Sequence, residues 1–354
     1  MMTANPFTIS FGRKPENYIS REIVSSEIID CFSSDSPFTN TYILTGVRGM
    51  GKTVTMTAVA NHFKKLDEWI VIDLNPSRDL LDAFGARLYD ALIKNKYELK
   101  AINPSAFGVS VLSMKKKDDP VFDIELFNDK LLQTALSKGK KILITIDEAA
   151  NSSYMRQFAL SFQGMLRNEY PVFLLMTGLF QNVTDIQNDK SLTFLLRAKR
   201  IDLESLNLSL IKKSYQNILS VPSDQARKMA ELTRGYPFAY QVLGYLVFEN
   251  PSESLSKLMD RYDSYLQSYV YEKIWQESSG NDREFLIAMS KVKGNIKQTA
   301  EIKAQSQMDD KTFSVYRDRL IKRGIVKAVK YGEVIFALPR FEEYVQQVNE
   351  FDLY

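Results

Sequence analysis

Residues 42–53 read Tyr-Ile-Leu-Thr-Gly-Val-Arg-Gly-Met-Gly-Lys-Thr, an apolar run followed by the spacing G-x-x-x-x-G-K-T. This spacing is typical of a phosphate-binding loop, which requires a strand before it and a helix after it. The loop glycines allow backbone conformations that a Cβ would forbid, so that successive N–H groups can face one phosphate. The run from Thr53 to Phe63 has helical spacing, and its N-terminus would add partial positive charge. The stretch therefore predicts a nucleoside triphosphate site formed by Gly46, Val47, Arg48, Gly49, Met50, Gly51, Lys52, Thr53 and Val54.

Two side chains at the end of this loop have expected chemical roles. Lys52 is expected to reach the β- and γ-phosphates, and the Thr53 hydroxyl is expected to bind a magnesium ion that bridges them. The expected cofactors are therefore Mg²⁺ and a nucleoside triphosphate. The loop itself does not distinguish one base from another.

A second motif places two adjacent carboxylates after an apolar strand pattern. Residues 141–149 read Lys-Ile-Leu-Ile-Thr-Ile-Asp-Glu-Ala, and the carboxyl ends of parallel strands form the ligand-binding edge of an open α/β sheet. Asp147 is expected to hold Mg²⁺ through its water shell, and Glu148 to orient and deprotonate the attacking water. Taken alone, the pair also fits a helix cap. Together with the loop, it predicts a hydrolysing site rather than a nucleotide kinase.

Composition limits the fold and excludes several classes of site. The chain has 354 residues, 45% of them hydrophobic, and a net charge of +3. This length is enough for about two or three domains. The single cysteine, Cys31, and the single histidine, His62, exclude an intrachain disulfide, a zinc site and a serine-histidine triad. Without a signal peptide or a membrane-spanning stretch, a cytoplasmic location and no membrane partner are expected.

Alternating strands and helices predict a doubly wound α/β sheet in the first part of the chain. Helical spacing is clearest over Leu80–Ile93 and Ile124–Leu136, whereas residues 97–121 fit neither pattern and are expected to form an insertion or exposed loop. The strand candidates are nearly continuous apolar runs, as expected of parallel strands buried on both faces. The predicted strands are Tyr42–Thr45, Trp69–Leu74, Lys141–Ile146, Val172–Thr177 and Arg200–Leu203.

The two motifs together resemble the AAA+ superfamily of P-loop ATPases, and other segments resemble its branch of replication-initiator and STAND-type signalling ATPases. Residues 18–22 resemble a segment that implies a position near the adenine for Arg21, and so ATP as the nucleotide. Thr177 resembles the sensor 1 residue, which contacts the γ-phosphate or the attacking water. Arg197 resembles a phosphate-sensing or finger arginine. Residues 235–237, Gly-Tyr-Pro, resemble the glycine-x-proline of the helical lid, where Pro237 would pack against the base.

The arginine assignments have alternatives. Leu196 stands where this family often has glycine before the finger arginine, so Arg200 is the alternative to Arg197. Both arginines also fit a surface position beside an edge strand. Arg234 is a candidate for a sensor 2 residue.

The remaining resemblances also have plainer interpretations. Ser20 replaces the usual glycine of the segment before the first strand. Thr177 fits a hydroxyl that satisfies the end of its strand. Residues 235–237 fit a simple turn between helices.

The end of the chain predicts a winged helix-turn-helix, with three helices and a hairpin around Lys330-Tyr-Gly-Glu. The predicted elements are helices Arg283–Val292, Ile296–Ala304 and Lys311–Arg323 and strands Ile325–Val329 and Val334–Leu338. Basic residues outnumber acidic ones from residue 291 to residue 330, and such a stripe fits the phosphates of double-stranded DNA. Winged helices also dock proteins, and that interpretation stays open. The basic residues are Lys311, Arg317, Arg319, Lys322, Arg323, Lys327 and Lys330.

These features predict an α/β P-loop ATPase core over residues 1–205, a helical lid over residues 206–278 and a winged helix-turn-helix over residues 279–354. The expected function is a slow ATPase that couples its nucleotide state to DNA association. The alternative is a STAND-like signalling or defence ATPase whose winged helix contacts a protein partner or a second copy of the chain.

Overall fold

A computed structural model of the chain describes residues 4–10, 17–94 and 123–351. The predicted insertion at residues 97–121 lies outside these residues. The chain divides into two compact units. The sheet unit contains Arg21–Thr45 and Lys52–Asp202, and the C-terminal unit contains Met1–Ser20, Gly46–Gly51 and Leu203–Tyr354. The predicted domain boundaries after residues 205 and 278 stay predictions.

The sheet unit is built on parallel strands. They are β1 (Thr41–Thr45), β2 (Trp69–Leu74), β3 (Lys141–Ile146), β4 (Val172–Gly178) and β5 (Lys199–Asp202). Within the described residues they form one five-stranded sheet in the order β2-β3-β4-β1-β5. β1, β3 and β4 are buried almost throughout, which explains their continuous apolar sequence. The order places β4 between the strand that precedes the loop and the strand that precedes Asp147.

The predicted strands agree with the observed ones except at four ends. β1 begins one residue earlier than predicted, at Thr41. β4 extends one residue further, to Gly178. β5 begins and ends one residue earlier than predicted, and its residues are half-buried or exposed. An edge strand has a neighbour on one side only, so its burial pattern is weaker and its bounds are harder to predict.

Helices connect the strands of the sheet unit. They are α1 (Glu22–Ser33), α2 (Lys52–Phe63), α3 (Leu80–Lys94), α4 (Ile124–Ser137), α5 (Ser153–Arg167) and α6 (Phe180–Gln187), followed by a 3₁₀ segment over Lys190–Arg197. Side-chain caps start helices such as α4 and α5, because Asp123 accepts from the N–H groups of Glu125 and Leu126 and Ser152 accepts from Met155. Both caps satisfy amides that have no partner inside the helix.

The C-terminal unit begins with helices on both sides of the Gly-Tyr-Pro segment. They are α7 (Leu208–Leu219), α8 (Ser223–Thr233), α9 (Pro237–Glu249), α10 (Leu255–Leu266) and α11 (Glu272–Gln276), with a π-helical turn over Gln267–Tyr271. α9 is buried around most of its circumference. Phe7 is 2% exposed and packs against the rings of Tyr215 and Tyr240. A Cβ at Gly244 would collide with the Phe7 ring, so glycine is needed where the N-terminal segment crosses α9.

The last part of the unit combines helices with a small antiparallel sheet. Its elements are α12 (Gly280–Lys291), β6 (Lys297–Gln298), α13 (Thr299–Gln305), α14 (Asp310–Lys322), β7 (Val326–Lys330), β8 (Glu333–Phe336) and α15 (Phe341–Phe351). The described strands pair in the order β6-β8-β7. The predicted helix over Ile296–Ala304 begins three residues later, because Lys297 and Gln298 pair with β8.

Polar contacts join the two parts of the C-terminal unit. The Arg340 guanidinium holds both carboxylate oxygens of Asp263, with an Nη2–Oδ2 distance of 2.6 Å. The Arg234 guanidinium donates to the Phe336 carbonyl at 2.7 Å. The hydrogen bonds from Arg340 to Asp263 also raise the pKa of Arg340. Two-point pairing of this kind fixes orientation as well as distance.

Candidate nucleotide-binding site

Polar residues meet at the carboxyl edge of the parallel sheet. β3 ends at Ile146, whose register partner on β4 is Met176, so the next residues, Asp147 and Thr177, lie side by side. Leu44 on β1 is the other register partner of Thr177. The strand order therefore brings a threonine of β4 to a position beside the first carboxylate of the acidic pair.

Two threonine hydroxyls hold the Asp147 carboxylate. Thr53 Oγ1 donates to Asp147 Oδ2 at 2.8 Å, and Thr177 Oγ1 donates to Asp147 Oδ1. Thr53 lies in the first turn of α2, whereas Thr177 is fully buried in β4. The residues predicted to bind the metal, Thr53 and Asp147, are thus brought together from distant parts of the chain.

This pair of oxygens fits a magnesium ion. Mg²⁺ prefers hard oxygen ligands and is usually held by one or two protein groups, with waters and nucleotide phosphates as its other ligands. A hydroxyl and a carboxylate 2.8 Å apart supply such a pair. Among the described residues, no group of three or more His, Cys, Asp or Glu side chains is arranged to hold a metal ion.

Glu148 has an unusual backbone that is held by the same residues. Its φ is 53°, in the left-handed region that a non-glycine residue rarely adopts. Its N–H lies 3.1 Å from both Thr177 Oγ1 and Asp147 Oδ1, and the next amide, of Ala149, donates to the Thr177 carbonyl at 2.7 Å. The Glu148 side chain is exposed at the sheet edge. Strained backbone that is held by several bonds is frequent at functional sites.

The phosphate-loop sequence spans the boundary in the chain between the two units. Gly46–Gly51 belong to the C-terminal unit, and α2 of the sheet unit begins at Lys52. Gly49 and Gly51 have φ values of 73° and 86°, which favour glycine. Val47 and Met50 are buried, whereas Lys52, Thr53 and Val54 are half-buried in the first turn of α2. The helix required by the motif is therefore present, and it begins at Lys52, one residue before the predicted start.

Comparisons with known proteins agree with this architecture. A family model described as "Domain of unknown function (DUF8462)" matches residues 268–345, and no curated protein matches the sequence. The chain is similar to the solved structure of a Walker-type ATPase of Pyrococcus abyssi, at 15% identity over 94% of this chain and 96% of that chain, with a TM-score of 0.64. It is also similar to the ORC2 protein of Aeropyrum pernix in its ADPNP–ADP complexes, at 12% identity over 98% of both chains, with a TM-score of 0.60. The chain shares the fold of these structures, an α/β parallel sheet of the P-loop NTPase type followed by a helical region.

The candidate arginines differ in their surroundings. Arg197 ends the 3₁₀ segment and is exposed. Arg200 donates to Asp202 at 2.9 Å and lies 3.9 Å over the Phe180 ring, so its guanidinium is already held within the sheet unit. Arg234 is likewise engaged with the β8 backbone. The surroundings of Arg197 favour it over Arg200 for contact with an added group, and its role stays a prediction.

The two residues predicted to lie near the base belong to different units. Arg21 is half-buried just before α1 in the sheet unit, and its carbonyl accepts from the Ser25 N–H at 2.9 Å. Pro237 is half-buried at the first position of α9 in the C-terminal unit, where a missing N–H costs nothing. Their roles toward a base stay predictions.

A cavity beside Asp147 was not predicted from the sequence. Its volume is about 210 Å³, and its lining is Met56, Thr57, Ala60, Lys64, Asp73, Leu74, Thr145 and Asp147. Burial raises the pKa of Asp73, but hydrogen bonds from Thr145 and Lys64 outweigh it and keep the pKa below its ordinary value. The sequence signal was an acidic residue near the end of β2, which predicts a position at the same sheet edge only once the strand order is known.

No helix among the described residues combines the length and the apolar character needed to cross a lipid bilayer.

Proposed function

We propose that the chain binds ATP with Mg²⁺, hydrolyses it slowly and uses the nucleotide as a conformational switch. The observation that carries the proposal is the 2.8 Å contact between Thr53 Oγ1 and Asp147 Oδ2. It supports the assignment of two sequence motifs, far apart in the chain, to one site. The ATPase and the ADPNP–ADP complexes among the similar structures support adenine as the base.

Each side chain of the candidate site has a separate role in the proposed hydrolysis. Thr53 and Asp147 would hold Mg²⁺, which neutralises charge on the phosphates when bound. Lys52 supplies a positive charge for the phosphates, and Glu148 accepts a proton from the water that attacks the γ-phosphorus, so that ADP and phosphate are released. Thr177 positions Asp147 and Glu148 through its single hydroxyl. Low turnover suits a switch, because the nucleotide state then lasts long enough to be read.

Binding of ATP is tested by removing the loop ammonium group. Lys52→Ala should abolish tight ATP binding in a direct titration of the full chain with Mg²⁺. Lys65→Ala is the matched control, because Lys65 is exposed just beyond the end of α2 and its loss changes the net charge equally. Wild-type affinity in Lys52→Ala would contradict the proposal.

We infer that the elements α12–α15 and β6–β8 form a winged helix that associates with double-stranded DNA. Support comes from the three helices followed by an antiparallel hairpin, β7–β8. In such modules the third helix enters the major groove and the hairpin forms the wing. The hairpin turn carries Tyr331, which is fully exposed.

Internal ion pairs reduce the basic surface that is available for DNA. Arg319 and Arg323 pair with the buried Asp282, Arg317 pairs with Asp318, and Lys330 pairs with Glu333. The remaining predicted residues, Lys311, Lys322 and Lys327, are exposed. We therefore assign the phosphate contacts to these three lysines rather than to the whole stripe.

Salt dependence tests the DNA assignment. Duplex DNA should bind the full chain with an affinity that falls as salt rises. Replacing Lys311, Lys322 and Lys327 with Glu should lower the salt slope by about 0.9 for each phosphate that is no longer neutralised. A control variant carries Glu at Lys213, Lys228 and Lys257, which are exposed on other helices of the unit. The titrations are run with ATP, with ADP and without nucleotide.

A protein-binding role is the alternative for the same module. It is favoured by apolar side chains on the proposed DNA face, since Val315 on α14 is 55% exposed and Val329 on β7 is 49% exposed. DNA binding that is absent, or equal in the two triple variants, would contradict DNA association and favour this alternative.

A further inference from the structure

The phosphate loop is held from within the C-terminal unit by a buried phenol. Tyr236 Oη donates to the Arg48 carbonyl at 2.5 Å, and Tyr236 is 1% exposed. Burial raises the pKa of Tyr236 well above its ordinary value, so the hydroxyl keeps its proton at physiological pH. The loop backbone therefore has a permanent donor outside the motif itself.

Local structure fixes the position of this phenol. Tyr236 directly precedes α9 and follows Gly235, whose φ of 77° favours glycine. The Tyr236 N–H donates to the Thr233 carbonyl at 2.8 Å, and the Leu206 N–H donates to the Gly235 carbonyl at 2.7 Å. The backbone that carries the ring is thus tied both to α8 and to the segment that precedes α7.

The contact explains why the loop needs glycine at position 49. A Cβ added to Gly49 would clash with the Tyr236 hydroxyl and lie 2.9 Å from Phe238 Cβ. Gly49 also has a φ of 73°. The middle glycine of the loop is required by the approach of Tyr236 as well as by its own backbone angle.

The same arginine is held at its other end. Arg48 Nη2 lies 2.7 Å from Glu277 Oε1, and both side chains are about one-third exposed. Glu277 directly follows α11 and lies within residues 268–345, the region that the model of a domain of unknown function matches. Val47 also approaches this region, because a Cβ at Gly324 would lie 3.2 Å from Val47 Cγ1. Three consecutive loop residues, 47–49, are therefore approached by later segments of the C-terminal unit, to which they belong.

Peptide geometry links the Tyr236 contact to the direction of a loop amide. In a trans peptide the C=O of one residue and the N–H of the next point in opposite directions. When Tyr236 holds the Arg48 carbonyl, the Gly49 N–H is directed away from the phenol. A phosphate loop works by directing such amides at the anion, so fixing one peptide plane removes part of the ordering cost of binding.

We propose that Tyr236 and Glu277 are positioning residues that hold the phosphate loop in its anion-binding form and couple nucleotide affinity to the rest of the C-terminal unit. This inference rests on the proposed ATP binding. Coupling of this kind is reciprocal. A partner that draws Glu277 or Tyr236 from the loop should therefore weaken nucleotide binding, and bound nucleotide should oppose that partner.

The test uses conservative variants of the full chain. Tyr236→Phe removes only the hydroxyl and should weaken ATP and ADP binding about three- to tenfold, the range for one hydrogen bond. KM should rise with little change in kcat, because the lost interaction is the same in ground state and transition state. Glu277→Gln should act in the same direction. The matched control is Tyr240→Phe in the first turn of α9, since its hydroxyl contacts Ser214 at 2.7 Å and not the loop.

A second readout does not depend on nucleotide. Amide hydrogen exchange over residues 46–51 should be faster in Tyr236→Phe than in Tyr240→Phe, although both variants lose one buried hydroxyl. Wild-type affinity and exchange in both Tyr236→Phe and Glu277→Gln would overturn the inference and leave ATP binding intact. Failure of the wild-type chain to bind ATP would instead overturn the proposed function, and the coupling with it.

Discussion

The Thr177→Val substitution is the sharpest test of the sheet edge as a hydrolytic site. Valine has the shape of threonine without the hydroxyl, and Thr177 is fully buried, so packing should be kept. The variant loses the hydrogen bond from Thr177 Oγ1 to Asp147 and the one that Oγ1 accepts from the Glu148 N–H at 3.1 Å. One substitution thus loosens both carboxylates of the acidic pair.

The expected size follows from these two bonds. A hydrogen bond to a charged group contributes about 1.5–3 kcal/mol, and one between neutral groups about 1 kcal/mol. About 3 kcal/mol lost from the transition state corresponds to a decrease in kcat on the order of 10²-fold. ATP affinity should change only a few-fold, because Thr177 touches the residues proposed to act on the attacking water and the metal rather than the phosphate loop.

Single-turnover hydrolysis with a parallel ATP titration separates these effects. Thr145→Val is the matched control, because Thr145 is also buried in the sheet and its hydroxyl donates to a different carboxylate, that of Asp73. Both variants should lose stability in urea unfolding, and Thr177→Val should lose more because it removes two hydrogen bonds rather than one. Equal hydrolysis rates in Thr177→Val and Thr145→Val would refute the assignment of Thr177 to the site.

Three other substitutions probe separate parts of the molecule. Glu148→Gln should keep ATP affinity and lower the hydrolysis rate by about 10²-fold or more; unchanged turnover would remove Glu148 from its role as base. Arg197→Ala should lower hydrolysis on the order of 10³-fold in assembled protein but little in dilute monomer if it acts across subunits, and a rate that does not depend on protein concentration would argue against that role. Asp263→Asn weakens the two-point pair with Arg340, whose side chain is 33% exposed, and should lower the free energy of unfolding by about 1–2 kcal/mol; an unchanged urea midpoint would show that the pair does not stabilise the unit.

Much of the sheet unit could be predicted from local sequence. β2 and β3 have the predicted bounds, because strands buried on both faces leave nearly continuous apolar runs. The phosphate loop and the Asp147–Glu148 pair were recognisable because their glycine spacing and adjacent carboxylates at a strand end are specific to phosphate chemistry when they occur together. Element bounds shifted where burial is partial, as at β5, or where a short pairing replaces a helix start, as at Lys297.

The tertiary structure decided which of these residues meet. Strand order is set by pairing between segments far apart in the chain, and only that order places Thr177 beside Asp147. The same reason explains Asp73, which lines the neighbouring cavity through its register with Thr145. Periodicity along the chain contains no information about which strand lies next to which.

The sequence by itself therefore determined the class of fold and the residue types of the candidate nucleotide site, because the loop, the first turn of α2 and the acidic pair are local patterns. It did not reveal that Arg319 and Arg323 form ion pairs with the buried Asp282. Nor did it reveal that Tyr236 donates a hydrogen bond to the Arg48 carbonyl and that Glu277 pairs with the Arg48 guanidinium. Each of those contacts joins residues dozens to hundreds of positions apart. Such partners are chosen by packing and desolvation of the folded chain, and no local pattern specifies them.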